Sequence, residues 1–392
     1  MKNRVFTCLL ALLLLAGLGL FLLPQRETSA AEKRDLMTNE DLSLNSTFVM
    51  DAEKVMKDQF YGRDIITKAY YQLKTLLNRP FSSKGSEGGL SGITYTILNE
   101  NVIEISDGYL INSVPLFDDA KAYLTTSRGY NVQEFVQHYP DIKTYVYFPT
   151  RLEEILDVGD GLNYGPQYRS SFIAQLGDKV TWDELKIENV EDYQECFYKS
   201  DFHWNGRGAY RGYSDIIRMI QKDFAIEDPR PVEQEIVYTD YGFHGNIASQ
   251  VGSLGEEDHI IDLKLKGIGD YDYTVNGVPA DLNTTKEDYA LNGNNTPYSD
   301  FDYYFGDNAF ERIFDFHQED RPNLLIFADS FTNVTQEWIA SHFNKTVIID
   351  LRARGEDFDL DAYIRNYDID ILLVTQYYNN LFFNGNMYIP FN

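Results

Sequence analysis

Two short stretches of the sequence contain side chains that together could carry out nucleophilic catalysis. Asp201 and His203 stand two residues apart, and extended backbone there would point both side chains to the same face. A carboxylate beside an imidazole fixes the tautomer of the ring and stabilises its protonated form. Far downstream, the apolar run 323–328 leads into an Asp-Ser pair. This pattern predicts a buried strand that passes through an exposed serine, Ser330, into a helix.

A serine, a histidine and an aspartate in such surroundings would perform acyl transfer. His203 would take the proton of the Ser330 hydroxyl, and Asp201 would orient the imidazole. Backbone N–H groups at the start of the helix after Ser330 would stabilise the oxyanion. Taken singly, the same residues also fit ordinary roles, as a surface Asp–His pair and a helix N-cap. The combination of strand, serine and helix favours the catalytic interpretation.

The segment Lys199 to Tyr210, with the sequence KSDFHWNGRGAY, resembles the signature of the D-H-H-W family, relatives of the alginate O-acetylation proteins. Further segments are similar to family elements in the same order: residues 58–64 to D-x-F-x-x-R-D, 106–110 to K-D-G-Y/W-L, 328–331 to G-D-S-F and 349–352 to the D-L-R that follows. Together they span most of the chain from Asp51 to Tyr378. The sequence departs from the family pattern at Phe202, in place of the first histidine, and at Ala328, in place of a glycine.

The resemblance implies an SGNH-hydrolase-like enzyme whose triad is Ser330, His203 and Asp201, with the Asp-x-His pair ahead of the serine. It implies an extracytoplasmic O-acetyltransferase that moves acetyl groups to hydroxyls of an exported or cell-surface polysaccharide. A membrane-bound O-acyltransferase partner would supply the acetyl group, and no cofactor of the chain itself is expected. Two alternatives stay open: a polysaccharide acetyl-esterase with the same triad, and a non-catalytic glycan-binding or assembly protein.

Three further residues are candidates for contacts with the oxyanion or the sugar. Arg352 would add a positive charge to the oxyanion site, bind the polysaccharide, or form an ion pair with a nearby acid. Trp204 and Tyr377 are candidate platforms for sugar rings. Because aromatic residues make up 15% of the sequence, packing in the core explains both rings as well. No metal-ligand cluster occurs, so no metal site is predicted.

Residues 1–24 form a predicted membrane segment. Lys2 and Arg4 precede an uncharged apolar run from Val5 to Leu23, which as a helix would rise about 28 Å, close to the thickness of the hydrocarbon core. Basic residues ahead of the run place the remainder of the chain outside the cytoplasm. A cleaved signal peptide is the competing interpretation, since residues 28–31 offer small side chains to a peptidase. The chain is thus a single-pass protein of the cell membrane or a secreted one.

The composition excludes several classes of partner. A formal net charge of -27 argues against nucleic-acid binding, which needs a basic surface, and against docking on anionic lipid headgroups. Of the two cysteines, Cys8 lies in the apolar run and only Cys196 lies in the body, so the exported domain has no internal disulfide. This cysteine usage fits the outer face of a Gram-positive-type cell.

The remaining sequence predicts one α/β domain. Residues 25–46 are polar and read as a tether, and residues 47–392 as an SGNH-like catalytic domain of the α/β/α type with a mostly parallel sheet. Strand–helix repeats after residue 324 would bring Ser330, Arg352 and Gln376 to one edge of that sheet. The stretch 235–305, rich in Tyr, Asp, Gly and Asn, predicts an antiparallel insertion beside the site.

Overall fold

The computed structural model describes residues 25–29, 34–43, 47–60, 62–78, 83–84, 93–156, 162–255, 257–294, 299–306, 309–355 and 358–391. The predicted membrane segment at residues 1–24 lies outside them. Within these ranges, no helix is both long enough and apolar enough to cross a membrane.

The described residues form strands and helices that alternate along much of the chain. The strands are β1 Thr28–Ser29, β2 Arg34–Asp35, β3 Ser83–Lys84, β4 Thr94–Ile97, β5 Val102–Ile105, β6 Leu110–Asn112, β7 Lys143–Phe148, β8 Val180–Glu184, β9 Val232–Val237, β10 Ile261–Leu265, β11 Asp272–Val275, β12 Val278–Pro279, β13 Glu311–Asp315, β14 Leu324–Ala328, β15 Lys345–Ile349 and β16 Ile371–Thr375. The α-helices are α1 Phe48–Asp58, α2 Arg63–Asn78, α3 Asp119–His138, α4 Leu152–Ile155, α5 Gly165–Ile173, α6 Val190–Cys196, α7 Gly206–Ile220, α8 Asn246–Ser249, α9 Thr284–Asn292, α10 Asp300–Phe305, α11 Thr332–Ala340 and α12 Leu360–Asn366.

Eight strands form the main sheet, in the order β12-β11-β13-β15-β14-β16-β7-β8. Strands β15, β14, β16, β7 and β8 run parallel, and β13, β11 and β12 continue the sheet in antiparallel pairing. The predicted α/β class with a large, mostly parallel sheet is confirmed. Because β14 lies between β15 and β16, the segments after these three strands leave the same edge of the sheet side by side.

The sheet has an apolar core on each face. In β14, Leu324 and Ile326 pack on one face with α7 and α11, while Leu325 and Phe327 pack on the other with α3, α5 and α12. Alternate side chains of a strand point to opposite faces, so a continuous apolar run is what a strand covered by helices on both sides requires. The run 323–328 therefore encodes the central strand that carries Ser330.

The N-terminal region differs from the sequence-based expectation in two respects. The spacing of apolar residues over 50–78 predicts a single helix, but the structure has two, α1 and α2, separated at Gly62, whose φ of 80° breaks the helical path. The described part of the predicted tether contacts these helices. The Arg26 N–H donates to Gln59 Oε1 at 2.8 Å, and its guanidinium pairs with Asp64 at 2.7 Å.

The stretch 235–305 contains helices as well as strands. β9 and β10 form a separate antiparallel pair, whereas β11 and β12 extend the edge of the main sheet. Helices α8, α9 and α10 lie between or after these strands. The expected antiparallel pairing is present, but the short helices have too few periodic apolar positions to be recognised from sequence.

Helix α7 begins where two glycines let backbone segments meet closely. A Cβ at Gly208 would lie 2.2 Å from the carbonyl oxygen of Cys196, and one at Gly206 would lie 2.5 Å from that of Ile261. Asn205 caps the helix, with its side chain accepting hydrogen bonds from the N–H groups of Arg207 and Gly208. The Asn-Gly-Arg-Gly sequence after Trp204 therefore fixes how the Asp-x-His segment meets the helix that follows.

The close approach at Gly208 gives a stability prediction. We expect Gly208→Ala to lower the free energy of unfolding by about 1–3 kcal/mol, because the added methyl group overlaps a backbone atom that cannot move independently. Gly269→Ala is the matched control, since a Cβ there meets no atom within 4 Å, and its effect should stay within about 0.5 kcal/mol. Thermal unfolding followed by circular dichroism measures both. Equal stability of the two variants would contradict the packing described here.

Candidate active site

Asp201 and His203 are held together by a tight loop. Residues 198 and 203 are joined by a backbone hydrogen bond of 3.4 Å, so the extended backbone expected at this point is wrong. Asp201 Oδ1 accepts from the His203 backbone N–H at 2.9 Å and contacts His203 Nδ1 at 2.7 Å. The carboxylate thus folds the backbone around itself, as short polar side chains do in turns, and pairs with the ring at the same time.

Ser330 completes the group. It follows β14 and precedes α11, and its Oγ lies 2.7 Å from His203 Nε2. An ionised Asp201 can only accept hydrogen bonds, so the ring proton sits on Nδ1 and the unprotonated Nε2 faces the hydroxyl. Asp201, His203 and Ser330 are 0%, 1% and 4% exposed, so the expectation that Ser330 is exposed is wrong. The arrangement is the geometry in which an imidazole can remove the proton of a serine hydroxyl.

Aromatic rings fix the position of the imidazole. The His203 ring stacks on Phe301 with centroids 3.7 Å apart and planes 4° apart, and the centroid of the Phe202 ring lies 4.0 Å from that of His203. Phe301 belongs to α10, within the insertion. The insertion therefore supplies one wall of the site.

Hydrogen bonds keep Asp201 ionised although it is buried. Burial alone would raise the pKa of its carboxyl, but the electrostatic effect of the adjacent imidazole and hydrogen bonds from His203 and from the Asn246 N–H lower it below the usual value. The Asn246 N–H donates to Oδ2 at 2.7 Å. Beside it, a Cβ at Gly245 would lie 2.3 Å from the Asp201 Cβ, so only glycine fits there.

A second buried carboxylate, Asp258, holds the start of the loop that contains Asp201 and His203. Asp258 accepts hydrogen bonds from the backbone N–H groups of Lys199 and Ser200, at 2.9 Å and 2.7 Å, and from the Ser200 hydroxyl. Burial raises the pKa of Asp258 to about 6, although these hydrogen bonds oppose the rise. Sequence reasoning missed Asp258, because nothing in the sequence marks one acid among many as the partner of a loop 58 residues away.

The N–H groups expected to bind the oxyanion are largely used by the turn itself. The Phe331 N–H donates to Asp329 Oδ1 at 3.1 Å, and the Thr332 and Asn333 N–H groups donate to the carbonyls of Asp329 and Ser330. Within the described part of the chain, no group accepts from the N–H of Ser330. Ser330 N–H is thus the donor of this turn that is available for an oxyanion.

Arg352 lies on the neighbouring loop and is engaged by its own turn. Its guanidinium forms a two-point contact with Asp350, with Nη2 to Oδ2 at 2.6 Å. Of the roles considered for Arg352, the structure places it in the ion pair. Its charge still reaches Asp329, whose pKa burial raises and Arg352 helps to lower. A direct role for Arg352 toward the oxyanion or the sugar stays a prediction.

The two aromatic candidates differ in accessibility. Trp204 is 1% exposed, and its indole N–H donates to the Phe331 carbonyl at 2.9 Å. The prediction that Trp204 is a sugar platform is therefore wrong: its ring is part of the core. Tyr377 is half-buried beside Phe202, with ring centroids 5.7 Å apart, and its role as a platform stays a prediction.

Arg151 is a buried cation that sequence reasoning missed. It follows β7, and its guanidinium lies 5.4 Å from the Phe202 ring and 5.8 Å from the Tyr377 ring. It is 0% exposed and pairs with the equally buried Glu153 at 2.6 Å. The side-chain amide of Gln376, also fully buried, has no hydrogen-bond partner among the described residues. Gln376 lies at the sheet edge that carries Ser330, as the sequence predicts, and Arg151 lies there because β7 pairs in parallel with β16.

Comparisons with known proteins agree with this geometry at the level of the fold. No protein-family model matches the sequence, and no curated protein does. Among solved structures, PatB1 of Bacillus cereus, described with a sulfonyl adduct, matches at 19% identity and a TM-score of 0.60 over 74% of this chain and 99% of that chain. A D-H-H-W family protein from Eubacterium siraeum matches at 15% identity and a TM-score of 0.56, over 78% and 97% of the two chains. The chain shares its fold with these two proteins. The O-acetyltransferase domain of Pseudomonas putida AlgJ matches at 12% identity and a TM-score of 0.42, over 73% and 93%.

The raised pKa of Asp258 predicts a pH-dependent contribution to stability. The carboxyl of Asp258 binds its proton more tightly in the folded state than in the unfolded chain. Protonation of Asp258 therefore stabilises the folded state, and this stabilisation is complete below about pH 4. It is lost as the pH rises through about 6. Relative to Asp258→Asn, the wild type should therefore gain roughly 2 kcal/mol of stability between pH 7 and pH 4.

Urea unfolding of both proteins at several pH values measures this difference. Asp270→Asn is the control, because Asp270 is exposed, and its stability relative to the wild type should change little with pH. A constant difference between the wild type and Asp258→Asn across this range would show that the carboxylate is not held as described.

Proposed function

We propose that the protein is an extracytoplasmic, serine-dependent O-acetyltransferase of SGNH type that acetylates hydroxyls of an exported or cell-surface polysaccharide. The observation that carries the proposal is the pair of 2.7 Å contacts that link Asp201, His203 and Ser330 in one buried line. This arrangement lowers the cost of forming a serine alkoxide and needs no cofactor. The fold shared with a D-H-H-W family protein supports the same class of chemistry by analogy.

The reaction proceeds in two acyl-transfer steps. Ser330 Oγ attacks the carbonyl carbon of the acetyl donor while its proton passes to His203 Nε2. The tetrahedral oxyanion accepts a hydrogen bond from the Ser330 N–H, and the leaving group departs with the proton from His203, leaving an acetyl ester on Ser330. His203 then takes the proton of a sugar hydroxyl, whose oxygen attacks the ester. The proton returns to Ser330 as the acetylated sugar leaves.

Two features support a sugar over water as the acceptor. The triad is almost completely shielded from solvent, with Phe301 of the insertion stacked on the catalytic imidazole, and exclusion of water suppresses hydrolysis of an acyl-enzyme. A groove of about 520 Å³ lies alongside, and Phe202 and Tyr377 form part of its wall. The groove would hold the acceptor next to His203, because the Phe202 ring lines the groove and also contacts the His203 ring.

The chemistry of the groove suits a carbohydrate. Its lining combines aromatic rings with amide, hydroxyl and few charged side chains, which together stack on sugar faces and bond to hydroxyls. The amide, hydroxyl and aromatic groups of the lining belong to Asn101, Asn112, Ser113, Gln250, Asn379 and Tyr377. Glu100 and Lys121 are the charged members of the lining and cancel each other.

The placement of the enzyme follows from the sequence. The apolar run Val5 to Leu23 would anchor the chain, with the catalytic domain outside the cell membrane or released if the run is cleaved. Acetyl donors made in the cytosol would reach Ser330 through a membrane-bound O-acyltransferase partner. A polysaccharide acetyl-esterase and a glycan-binding protein without activity are the alternatives that the experiments below distinguish.

Covalent labelling tests the nucleophile. A sulfonyl fluoride should form an adduct on Ser330, detected by peptide mass spectrometry, and Ser330→Ala should abolish it. His203→Ala should slow labelling by at least about 10³-fold, since members of a triad act as a unit. Asp201→Asn should leave the fold intact and slow labelling by about 10³–10⁴-fold, because the imidazole loses its orienting carboxylate. An adduct that persists at another residue in Ser330→Ala would remove the basis of the proposal.

Groove variants test the acceptor. Asn112→Ala and Gln250→Ala should each raise the KM for an oligosaccharide acceptor by about fivefold to tenfold, the effect of one or two lost hydrogen bonds, with p-nitrophenyl acetate as donor. The rate of sulfonyl labelling should not change. Asn366→Ala, at an exposed amide on α12, is the control. Release of acetate alone, with no acetylated sugar, would assign the protein to the esterases, and neither product would assign it to glycan-binding proteins.

A further inference from the structure

Helices α1 and α2 and the residues between them expose an unusually large number of apolar side chains. Eleven of the twenty-two large apolar side chains that are exposed in the described part of the chain lie within residues 48–77. They are Phe48, Val49, Met50, Met56, Phe60, Ile65, Ile66, Tyr70, Leu73, Leu76 and Leu77. Soluble domains rarely leave a continuous apolar surface of this kind uncovered, so this one marks an interaction surface.

The exposed side chains of α2 form a stripe. In α2, Ile66, Tyr70, Leu73 and Leu77 recur at intervals of three and four residues, which places them on one face. The opposite face packs on the domain. Tyr71, for example, contacts the apolar cluster that includes Leu98, Val102 and Val251. The helix is therefore fixed to the body by one face and presents the other outward.

The chain contacts these helices directly after the predicted membrane segment. The Arg26 N–H donates to Gln59 at 2.8 Å and its guanidinium pairs with Asp64 at 2.7 Å, so Arg26 lies where α1 and α2 meet. Arg26 is the third residue after Leu23, the last of the apolar run, and three residues reach at most about 11 Å. If the run crosses the bilayer, the junction of the two helices lies at the surface of the membrane.

The local charge permits this contact although the whole chain is strongly acidic. Residues 48–78 contain five basic and four acidic side chains, a formal charge of +1 within a chain of -27. The remainder of the chain therefore carries the entire negative charge. A surface that is nearly neutral and strongly apolar can enter the interface by burying area, without needing anionic headgroups.

We propose that α1 and α2 lie in the interface of the lipid bilayer on its outer face, with the exposed apolar stripe among the upper acyl chains. The domain then has two membrane contacts, the N-terminal segment and the helix pair, which together restrict its orientation as well as its distance from the membrane. This proposal is independent of the chemistry at Ser330. It rests on the exposed stripe and on the contacts of Arg26.

Quenching by brominated lipid tests the proposal with the full chain. Leu73→Trp places a fluorophore in the stripe, and Val278→Trp places one at an equally exposed apolar position on the edge strand β12. Both variants are reconstituted into zwitterionic phosphatidylcholine vesicles with or without bromine on the acyl chains. The unsubstituted chain, which contains Trp182, Trp204 and Trp338, provides the background. The added tryptophan at position 73 should lose about half of its emission or more, since interfacial helices bury their apolar face 5–10 Å deep. The tryptophan at position 278 should lose almost none.

The remaining outcomes decide against the bilayer. No quenching at position 73 in a variant that unfolds like the wild type overturns the proposal, and Ile66→Trp repeats the test if Leu73→Trp does not fold. Equal quenching at positions 73 and 278 also overturns it, because the domain would then approach the lipid without orientation. Sedimentation in detergent identifies the competing occupant: a dimer that Leu73→Glu dissociates would assign the stripe to a second copy of the chain.

Discussion

The buried carboxylate of Asp201 is the constraint on which the rest of the site depends. A carboxylate at 0% exposure is tolerated only when hydrogen bonds replace water, and this one receives them from His203, through its backbone N–H and its ring, and from Asn246. Those bonds fix the loop, the tautomer of the imidazole and the position of the insertion at once. Asp258 is a second buried carboxylate that is stabilised by hydrogen bonds. It accepts them from the backbone N–H groups of Lys199 and Ser200, just before Asp201, and so fixes the start of the same loop.

Much of the fold could be predicted from the sequence because its signals are local. The apolar run at 323–328 encodes a strand covered on both sides, and the Asp-Ser pair after it places Ser330 at the sheet edge. The Asp-x-His spacing indicated the partners of Ser330, although the backbone there is a tight loop and not a strand. Resemblance to the D-H-H-W family gave the expected order of the motifs, and the structure shares that family's fold.

What the sequence could not predict depends on contacts between distant segments. Asp258 and Arg151 look like any other charged residues until the fold buries them beside the site. Trp204 stands next to His203 in the sequence, yet its side chain points into the core, because its indole N–H is taken by the Phe331 carbonyl. Sequence spacing tells which residues are near one another along the chain. It does not tell which side of the backbone faces the substrate.

The His203 ring is stacked against a residue of the insertion, and this has a consequence for the order of folding. The contact of His203 with Ser330 joins residues 127 positions apart. The packing around the imidazole is complete only when Phe301 of α10 stacks on it. Contacts over such separations form late, because the closure of long loops must come first. Strands β14, β15 and β16 pair residues much closer in sequence, Leu324 with Thr346 and with Ile371, so this part of the sheet can assemble while Ser330 is still without its imidazole partner. An incompletely folded molecule would carry Ser330 without the imidazole beside it, so the proposed acyl transfer would begin only once the last segment has docked.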